Sequence, residues 1–482
     1  MKSMVKNSVY NIIYTLTNVL FSLLSSIYAS RILQPEGMGK YTYVLTFAMY
    51  FVSLSSLGIP IYGVREIAKV RTQNEEKSKV FSELFFLNLF SSLLTFSIYL
   101  IIILNTASVQ EDIGLYVRFS FLIIANILNI DWLYKGEESY GYIAARSIVI
   151  KACSLLLLVL LIHNAEDIYR YADITILASC GNYIWNILHS RRFVKLTIHR
   201  LNFKRHLKPN IILAISLFFG EIYNKIDITM LGMLSTEYAV GIYGNAHKVV
   251  NIIITCCAAI TATFLPRISN VTKVNKKETI LLVNRGLEIL AFLCIPFTVG
   301  LCSLSNKAVL LLYDVDYLDS ATTIQFLSAL ILIRGIGDLV CYQLLVAIGQ
   351  EQLRVSANII TALLNISLNR LLIPAMGENG AALASVISEL FINSYLYLKM
   401  RKIIAFELHI RSLSHAILSS FAMYLFICLV QQLQLSLLIS VSISVVGGVT
   451  VYAMVNWVLK NPIMLLVITH LKSKLPVLDK TH

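Results

Sequence analysis

Lys225, Asp227 and Lys248 lie within NKIDITMLGMLSTEYAVGIYGNAHKVVNIII (224–254), and Glu221, Arg334 and Asp338 stand in equally apolar surroundings. A charged side chain at the centre of a bilayer costs on the order of 2.5–3.5 kcal/mol on insertion scales, so it faces a counter-charge, water or a substrate. Glu221 and Lys225 are spaced i,i+4 in the favourable acid-first order, and Arg334 and Asp338 share that spacing in the reverse order. Asp227 lies roughly 200° around its helix from Lys225, which leaves Lys248 as its expected partner. Packing alone explains such pairs poorly, because their apolar replacements are often neutral or stabilising. The residue types suit an anion in transit. Lys248, with Lys225 or Arg334, would hold it. Asp227, Glu221 and Asp338 would balance charge in its absence or carry a coupling H+ or Na+.

Polar residues recur at helical spacing around these charges. Asn7, Asn11, Tyr14, Asn18, Ser22 and Ser25 share one face, as do Gly241, Gly244, Lys248, Asn251 and Thr255, and as do Asn358, Asn365 and Asn369. Amide and small residues also join membrane helices, at roughly 0.6 kcal/mol per hydrogen bond. Three stripes, one of them carrying a lysine, favour a water-filled cavity, with Asn11, Asn18, Asn251 and Asn365 as lining residues.

Many membrane spans must position these groups. The 482 residues are 57% hydrophobic and 14% charged, with a mean hydropathy of +0.73; an ordinary soluble domain has roughly 25% charged residues. A helix needs about 20 apolar residues to cross a core of about 30 Å. Fourteen apolar runs qualify, from 7–33 to 434–458, and their length excludes the short alternating strands of a membrane barrel. The expected fold is an all-α integral membrane protein.

Lys and Arg concentrate in alternate connections, among them 65–79, 191–208, 267–285 and 399–411. The other connections hold only Arg31, Lys40, Arg170, Lys307 and Arg370. This asymmetry places the basic connections and both termini in the cytoplasm, with Lys135, Arg146 and Lys151 counted in a cytoplasmic connection. The net charge of +13 then belongs to a face that meets anionic membrane lipids, which leaves no role for nucleic acid. Residues 191–209 form the longest basic connection, and their apolar residues are spaced for an amphipathic helix lying in the interface. They separate an N-lobe of six spans (1–190) from a C-lobe of six (210–398), a parallel pseudo-repeat around a central cavity. Two additional spans and a tail occupy 399–482.

Other chemistry is missing. There is no phosphate-binding G-x-x-x-x-G-K-[ST] loop, no H-E-x-x-H, no G-x-S-x-G and no dinucleotide fingerprint. The eight cysteines lack metal-ligand spacing and are read as buried free thiols. No cofactor or metal is expected. Arg31 suits a helix C-terminus, and Trp132 with Tyr134, Trp185 and Trp457 are read as interfacial anchors. The outside connections, none longer than about twenty residues, weigh against a glycan polymerase or ligase, which stays as the less favoured alternative.

The stretches RILQPEGMGKY, SSLGIPIYGVREIAKV, DWLYKGEESYGYIAARSIVIK and NKIDITMLGMLSTEYAVGIYGNAHKV, in this order, resemble the polysaccharide repeat-unit flippases (Wzx or O-antigen transporter type) of the MOP exporter superfamily. The resemblance implies a non-enzymatic carrier in the bacterial inner membrane. It would move an undecaprenyl-diphosphate-linked oligosaccharide from the cytoplasmic to the periplasmic leaflet by alternating access, with a polysaccharide polymerase and a chain-length regulator as partners. Lys248 matches the place where that family carries a cavity cation, and Asp227 falls in its D-x-x-x-L-G segment. Peptidoglycan-precursor flippases and ion-coupled multidrug antiporters of the same superfamily are the alternatives. The latter carry an acidic residue in the first span, and this chain has none between Asn7 and Ser30.

Overall fold

The structure is a computed structural model that describes residues 2–199, 201–272, 275–404 and 410–474; the side chain of Asn11 lies outside the described set. Its helices are α1 (Lys2–Ser55), α2 (Ile59–Lys69), α3 (Asn74–Asn105), α4 (Ile113–Ala125), α5 (Asp131–Gly136), α6 (Tyr140–Leu161), α7 (Ile168–Ser190), α8 (Lys204–Leu234) and α9 (Glu237–Thr261). They continue as α10 (Phe264–Thr272), α11 (Lys276–Leu312), α12 (Ser320–Asp338), α13 (Leu345–Ala347), α14 (Glu351–Ile403), α15 (Ile410–Gln432), α16 (Leu437–Val458) and α17 (Pro462–Lys474). Among the described residues there is no strand, and 10 helical stretches are long and apolar enough to cross a membrane.

Two of those stretches, Thr17–Lys69 with 53 residues and Gln352–Ile403 with 52, rise far beyond one bilayer thickness. Each contains a break. In α1 it falls at Gln34 (φ 59, ψ 173), before Pro35, whose ring disfavours helical geometry in the preceding residue. In α14 it falls at Gly377 (φ 56, ψ −131), shortly after Pro374.

The chain divides into two compact units, Met1–Gly241 and Ile242–His482. In the first, α1 packs on α3, α4, α6 and α8, and α2 packs on α5. One core gathers Tyr41, Tyr99, Phe119 and Tyr171; a second gathers Tyr62, Phe81, Trp132 and Tyr134. Trp132 and Tyr134 are therefore core residues, 2% and 0% exposed: Gly63 leaves room for the indole face of Trp132, and Tyr134 donates to the Asn186 carbonyl at 2.6 Å. Trp185 and Trp457 are exposed, as anchors require. All eight cysteines are free, but only Cys257, Cys294 and Cys341 are buried.

Of the 191–209 connection, part of which is expected to be an amphipathic helix, residues 204–209 open α8, while the described residues from 191 to 203 form no helix. Their backbone runs along the start of α3, where Lys195 N–H donates to Ser78 Oγ (3.1 Å), Thr197 N–H to Ser82 Oγ (2.9 Å) and Asn202 N–H to Glu83 Oε1 (2.6 Å). Side chains of α3 thus accept the donors that a helix would satisfy internally. Glu83, 0% exposed, also binds Arg205 and accepts from His206 Nε2 at 2.8 Å, while Tyr62 meets His206 Nδ1 at 2.9 Å. Arg146 and Lys151 lie inside α6 and not in a cytoplasmic connection. Beyond α6, the Asp167 carboxylate accepts from the His163 and Asn164 amides at 2.9 and 3.0 Å and from Arg170 at 2.8 Å. The two backbone bonds, with Arg170 adding to them, hold its pKa below the usual carboxylate range.

In the second unit α11 packs on α12 and α15, α12 on α14, and α15 on α16. Tyr452 donates to the Phe292 carbonyl at 2.6 Å, beside a small core of Leu304, Met423 and Ile427. After α12 the chain makes a π-helical turn over Leu339–Leu344.

Two backbone approaches depend on glycine. A Cβ at Gly39 would collide with the Glu237 carbonyl, and one at Gly241 with the Pro35 carbonyl. Gly58, at φ +71, lets the Asn210 carbonyl of α8 come within 2.8 Å of where its Cβ would stand. Gly241→Ala should cost about 1–3 kcal/mol through overpacking, seen as a lower thermal-unfolding midpoint of the detergent-purified protein; an unchanged midpoint refutes the packing role. Glu83→Gln should cost about 2 kcal/mol, the worth of a hydrogen bond to a charged group, and should expose the 191–203 connection to limited proteolysis.

Candidate functional site

The intramembrane charges fall into separate constellations. In the first unit, Lys225 Nζ lies 2.9 Å from Glu221 Oε1, each side chain 27% exposed. The i,i+4 pair therefore forms as the spacing indicates. Thr229, one turn further along α8, meets the hydroxyl of Tyr50 at 2.7 Å, so α8 is bonded to α1 beside this pair. Asp227 is half-buried on the same helix.

In the second unit, Arg334 takes a partner other than the expected one. Its guanidinium binds Glu389 Oε1 of α14 through Nη2 (2.7 Å) and Nε (2.8 Å). Glu389 is fixed in turn by Asn393, whose amide donates to Oε2 at 3.1 Å. Asp338 instead accepts from Thr261 Oγ1 and, at 3.4 Å, from Gln343 Nε2. Base-first i,i+4 order is the poorer one on a helix, and Asp338 sits where α12 passes into the π-turn, a device common at functional sites. Lys248 is half-buried in α9, one turn before the exposed Asn251.

Among the amides, Asn18 accepts from Ser147 Oγ at 3.4 Å, within the first unit. Asn365 is 4% exposed and accepts from Asn369 at 3.0 Å, one turn along α14. Among the described residues no cluster of three or more His, Cys, Asp or Glu is arranged to hold a metal ion.

Sequence reasoning missed three polar groups. Glu389 was visible as a lone acid in an apolar run, but nothing local ties it to Arg334 at a separation of 55 residues. Arg146, 3% exposed, binds Asp131 at 3.1 Å and the side chain of Asn186, which also donates to Asp131; this triad joins α5, α6 and α7. Lys151, one turn beyond Ser147, faces a cavity within the first unit. What the arrangement does chemically is meet the cations Lys225, Arg334, Arg146 and Lys151 of apolar helices with carboxylate, amide or carbonyl oxygens.

Comparison with known proteins bears on this arrangement. The family model described as "Polysaccharide biosynthesis protein" matches residues 4–272. A protein of Escherichia coli (strain K12) named as an O-antigen transporter is 22% identical over 409 residues, covering 83% of this chain and 97% of that one. Among solved structures, the lipid II flippase MurJ in an inward closed conformation superposes with a TM-score of 0.74 at 17% identity, covering 95% of this chain and 99% of that one. An inward-facing multidrug resistance MATE family transporter of the MOP superfamily superposes with a TM-score of 0.65 at 14% identity, covering 80% and 94%. The fold is thus that of these transporters, and, with more than half of its length matched by the family model, the chain belongs to the polysaccharide biosynthesis protein family.

Proposed function

We propose that the protein flips undecaprenyl-diphosphate-linked oligosaccharide repeat units from the cytoplasmic to the periplasmic leaflet of a bacterial inner membrane, supplying O-antigen or capsule-type polysaccharide synthesis. The observation that carries this reading is a set of cations, Lys225, Lys248 and Arg334, placed within apolar helices of a transporter fold. Family membership and the likeness to an O-antigen transporter support it.

In the proposed mechanism the chain has fourteen spans and cytoplasmic termini. Two six-span lobes (1–190 and 210–398), joined by 191–209, rock about a central cavity, and 399–482 adds two spans beside the lipid tail. The diphosphate takes Lys248 with Lys225 or Arg334 as their carboxylates yield, since only differential affinity for the two states drives the change. Glu221, Asp227 and Asp338 neutralise the empty cavity or carry H+ or Na+, and Asn11, Asn18, Asn251 and Asn365 line the glycan's path. A polymerase and a chain-length regulator receive the product. The likeness to the lipid II flippase structure favours one second reading, transport of a peptidoglycan precursor.

Complementation separates the two readings. In a repeat-unit-flippase-deficient strain, surface polysaccharide returns and repeat units appear on the periplasmic face; rescue of a lipid II flippase deficiency instead would support the second reading. Lys248→Ala should reduce flipping in proteoliposomes to background while leaving insertion and unfolding midpoint unchanged, and normal transport by this variant removes Lys248 from the path. Arg334→Gln should lose about 2 kcal/mol of stability by stranding Glu389. The double variant Arg334→Gln/Glu389→Gln should regain stability but not transport; regained transport makes the pair purely structural.

A further inference from the structure

A cavity of about 330 Å³ lies inside the first unit, between α1, α6 and α7. Its polar lining includes Lys151, Ser22, Ser25, Thr175, Ser179 and Asn182 beside the hydroxyls of Ser154, Tyr41 and Tyr171. Lys151 stands midway along the 22-residue α6, roughly 15 Å from either end at 1.5 Å per residue. That is too deep for its ammonium to snorkel into water. Its hydrogen bond is to the backbone carbonyl of Asn18, at 3.5 Å, and no carboxylate lies within salt-bridge distance among the described residues. The Arg146 and Arg334 guanidiniums, by contrast, are each bound to a carboxylate.

The remaining groups define what the cavity accepts. Thr175 and Ser179 donate to carbonyls of their own helix at 3.1 Å each, and Tyr41 meets Thr175 at 2.9 Å. Asn182 donates to the Ala178 carbonyl at 2.8 Å, which leaves its buried Oδ1 without a hydrogen-bond partner. Ser22 and Ser25 have no partner among the described residues. The site thus offers one positive charge, an unused acceptor and two uncommitted hydroxyls. Its volume is at the lower end of the range of about 300–1,000 Å³ for small-molecule pockets. A diphosphate brings more negative charge than one lysine matches, and a neutral sugar leaves the ammonium uncompensated.

We propose that this cavity is a subsite for a single carboxylate-bearing group of about one sugar ring's size, with Lys151 as its counter-charge, Asn182 Oδ1 receiving a ligand hydroxyl and Ser22 and Ser25 completing its hydrogen bonds. The carboxylate comes either from a uronic-acid residue of the glycan, which rests on the flippase reading, or from a free small carboxylate, which does not.

Isothermal titration of the purified full-length protein with glucuronate, glucose and acetate tests the proposal. Glucuronate should bind at least about tenfold more tightly than glucose. Lys151→Met should weaken it by about 10- to 100-fold, the range for a hydrogen bond to a charged group, and Lys151→Arg should restore most of the affinity. Glucuronate preferred over acetate assigns the glycan source; equal binding, still lost in Lys151→Met, assigns a free carboxylate. Absence of binding by either carboxylate, or an unchanged affinity in Lys151→Met, overturns the site. Should Lys151→Met not purify as a monodisperse protein, Ser22→Ala/Ser25→Ala serves, with a weakening of threefold or more expected and no change overturning the proposal. Titration requires no flipping, so intact glucuronate binding without transport in vesicles counts against the flippase reading alone.

Discussion

A charge inside an apolar helix must be met within the protein, and the helix arrangement follows from how that cost is covered. Lys77 of α3 meets Glu137 at 3.0 Å, with both side chains nearly buried. Arg146 meets Asp131 and Asn186, and Arg334 reaches across to Glu389. Each contact fixes the register of one element against another: α3 against the turn after α5, α6 against α5 and α7, α12 against α14. Such pairs are weak contributors to net stability, because desolvation offsets most of the attraction, yet breaking one is costly. They act here as registers that tolerate few alternatives.

Backbone geometry supplies the complementary constraint. The breaks at Gln34 and Gly377 divide two helical stretches that are each far longer than one bilayer crossing needs. The close approach of Gly39 to Glu237 and of Gly241 to Pro35 sets the first turn of α9 against the Pro35–Gly39 turn of α1. Lys40, next to Gly39, binds Asp112 at 2.8 Å and lies 3.8 Å from Glu237, so a polar clamp closes over the glycine contact.

Much of this was legible in the sequence wherever the signal was local. Apolar run length announced an all-helical, multi-pass membrane chain, and the Glu221–Lys225 pair followed from i,i+4 spacing. Long-range choices were not legible. Arg334 had a sequence neighbour in Asp338 but took Glu389, because the π-turn and the unfavourable order gave a distant acid the advantage. Trp132 looked like an interfacial anchor until Gly63 made room for it in the core. The 191–203 segment carried apolar spacing suited to a helix, yet Ser78, Ser82 and Glu83 offered its amides acceptors that composition alone does not reveal. Lys151 falls within the apolar run 144–163 but was grouped with Lys135 and Arg146 as a basic cytoplasmic cluster, whereas it stands midway along α6.

The two kinds of intramembrane cation differ in what they ask of an anion. On the proposed flippase reading, a phosphate reaching Arg334 would have to displace Glu389, which holds the guanidinium by two hydrogen bonds at 2.7 and 2.8 Å. Binding there is an exchange, and its net free energy is small because the carboxylate loses nearly what the phosphate gains. That suits a carrier, since a cargo held only by the difference between two similar contacts can be released when the carboxylate returns. At Lys151 there is no described carboxylate to displace, so an anion entering that cavity gains the full charge-assisted contact. Exchange sites suit the part of a substrate that must travel, and a site without a competing carboxylate suits a group that is selected or retained. With Arg334 on α12 of the second unit and Lys151 on α6 of the first, the two kinds of site fall on different units.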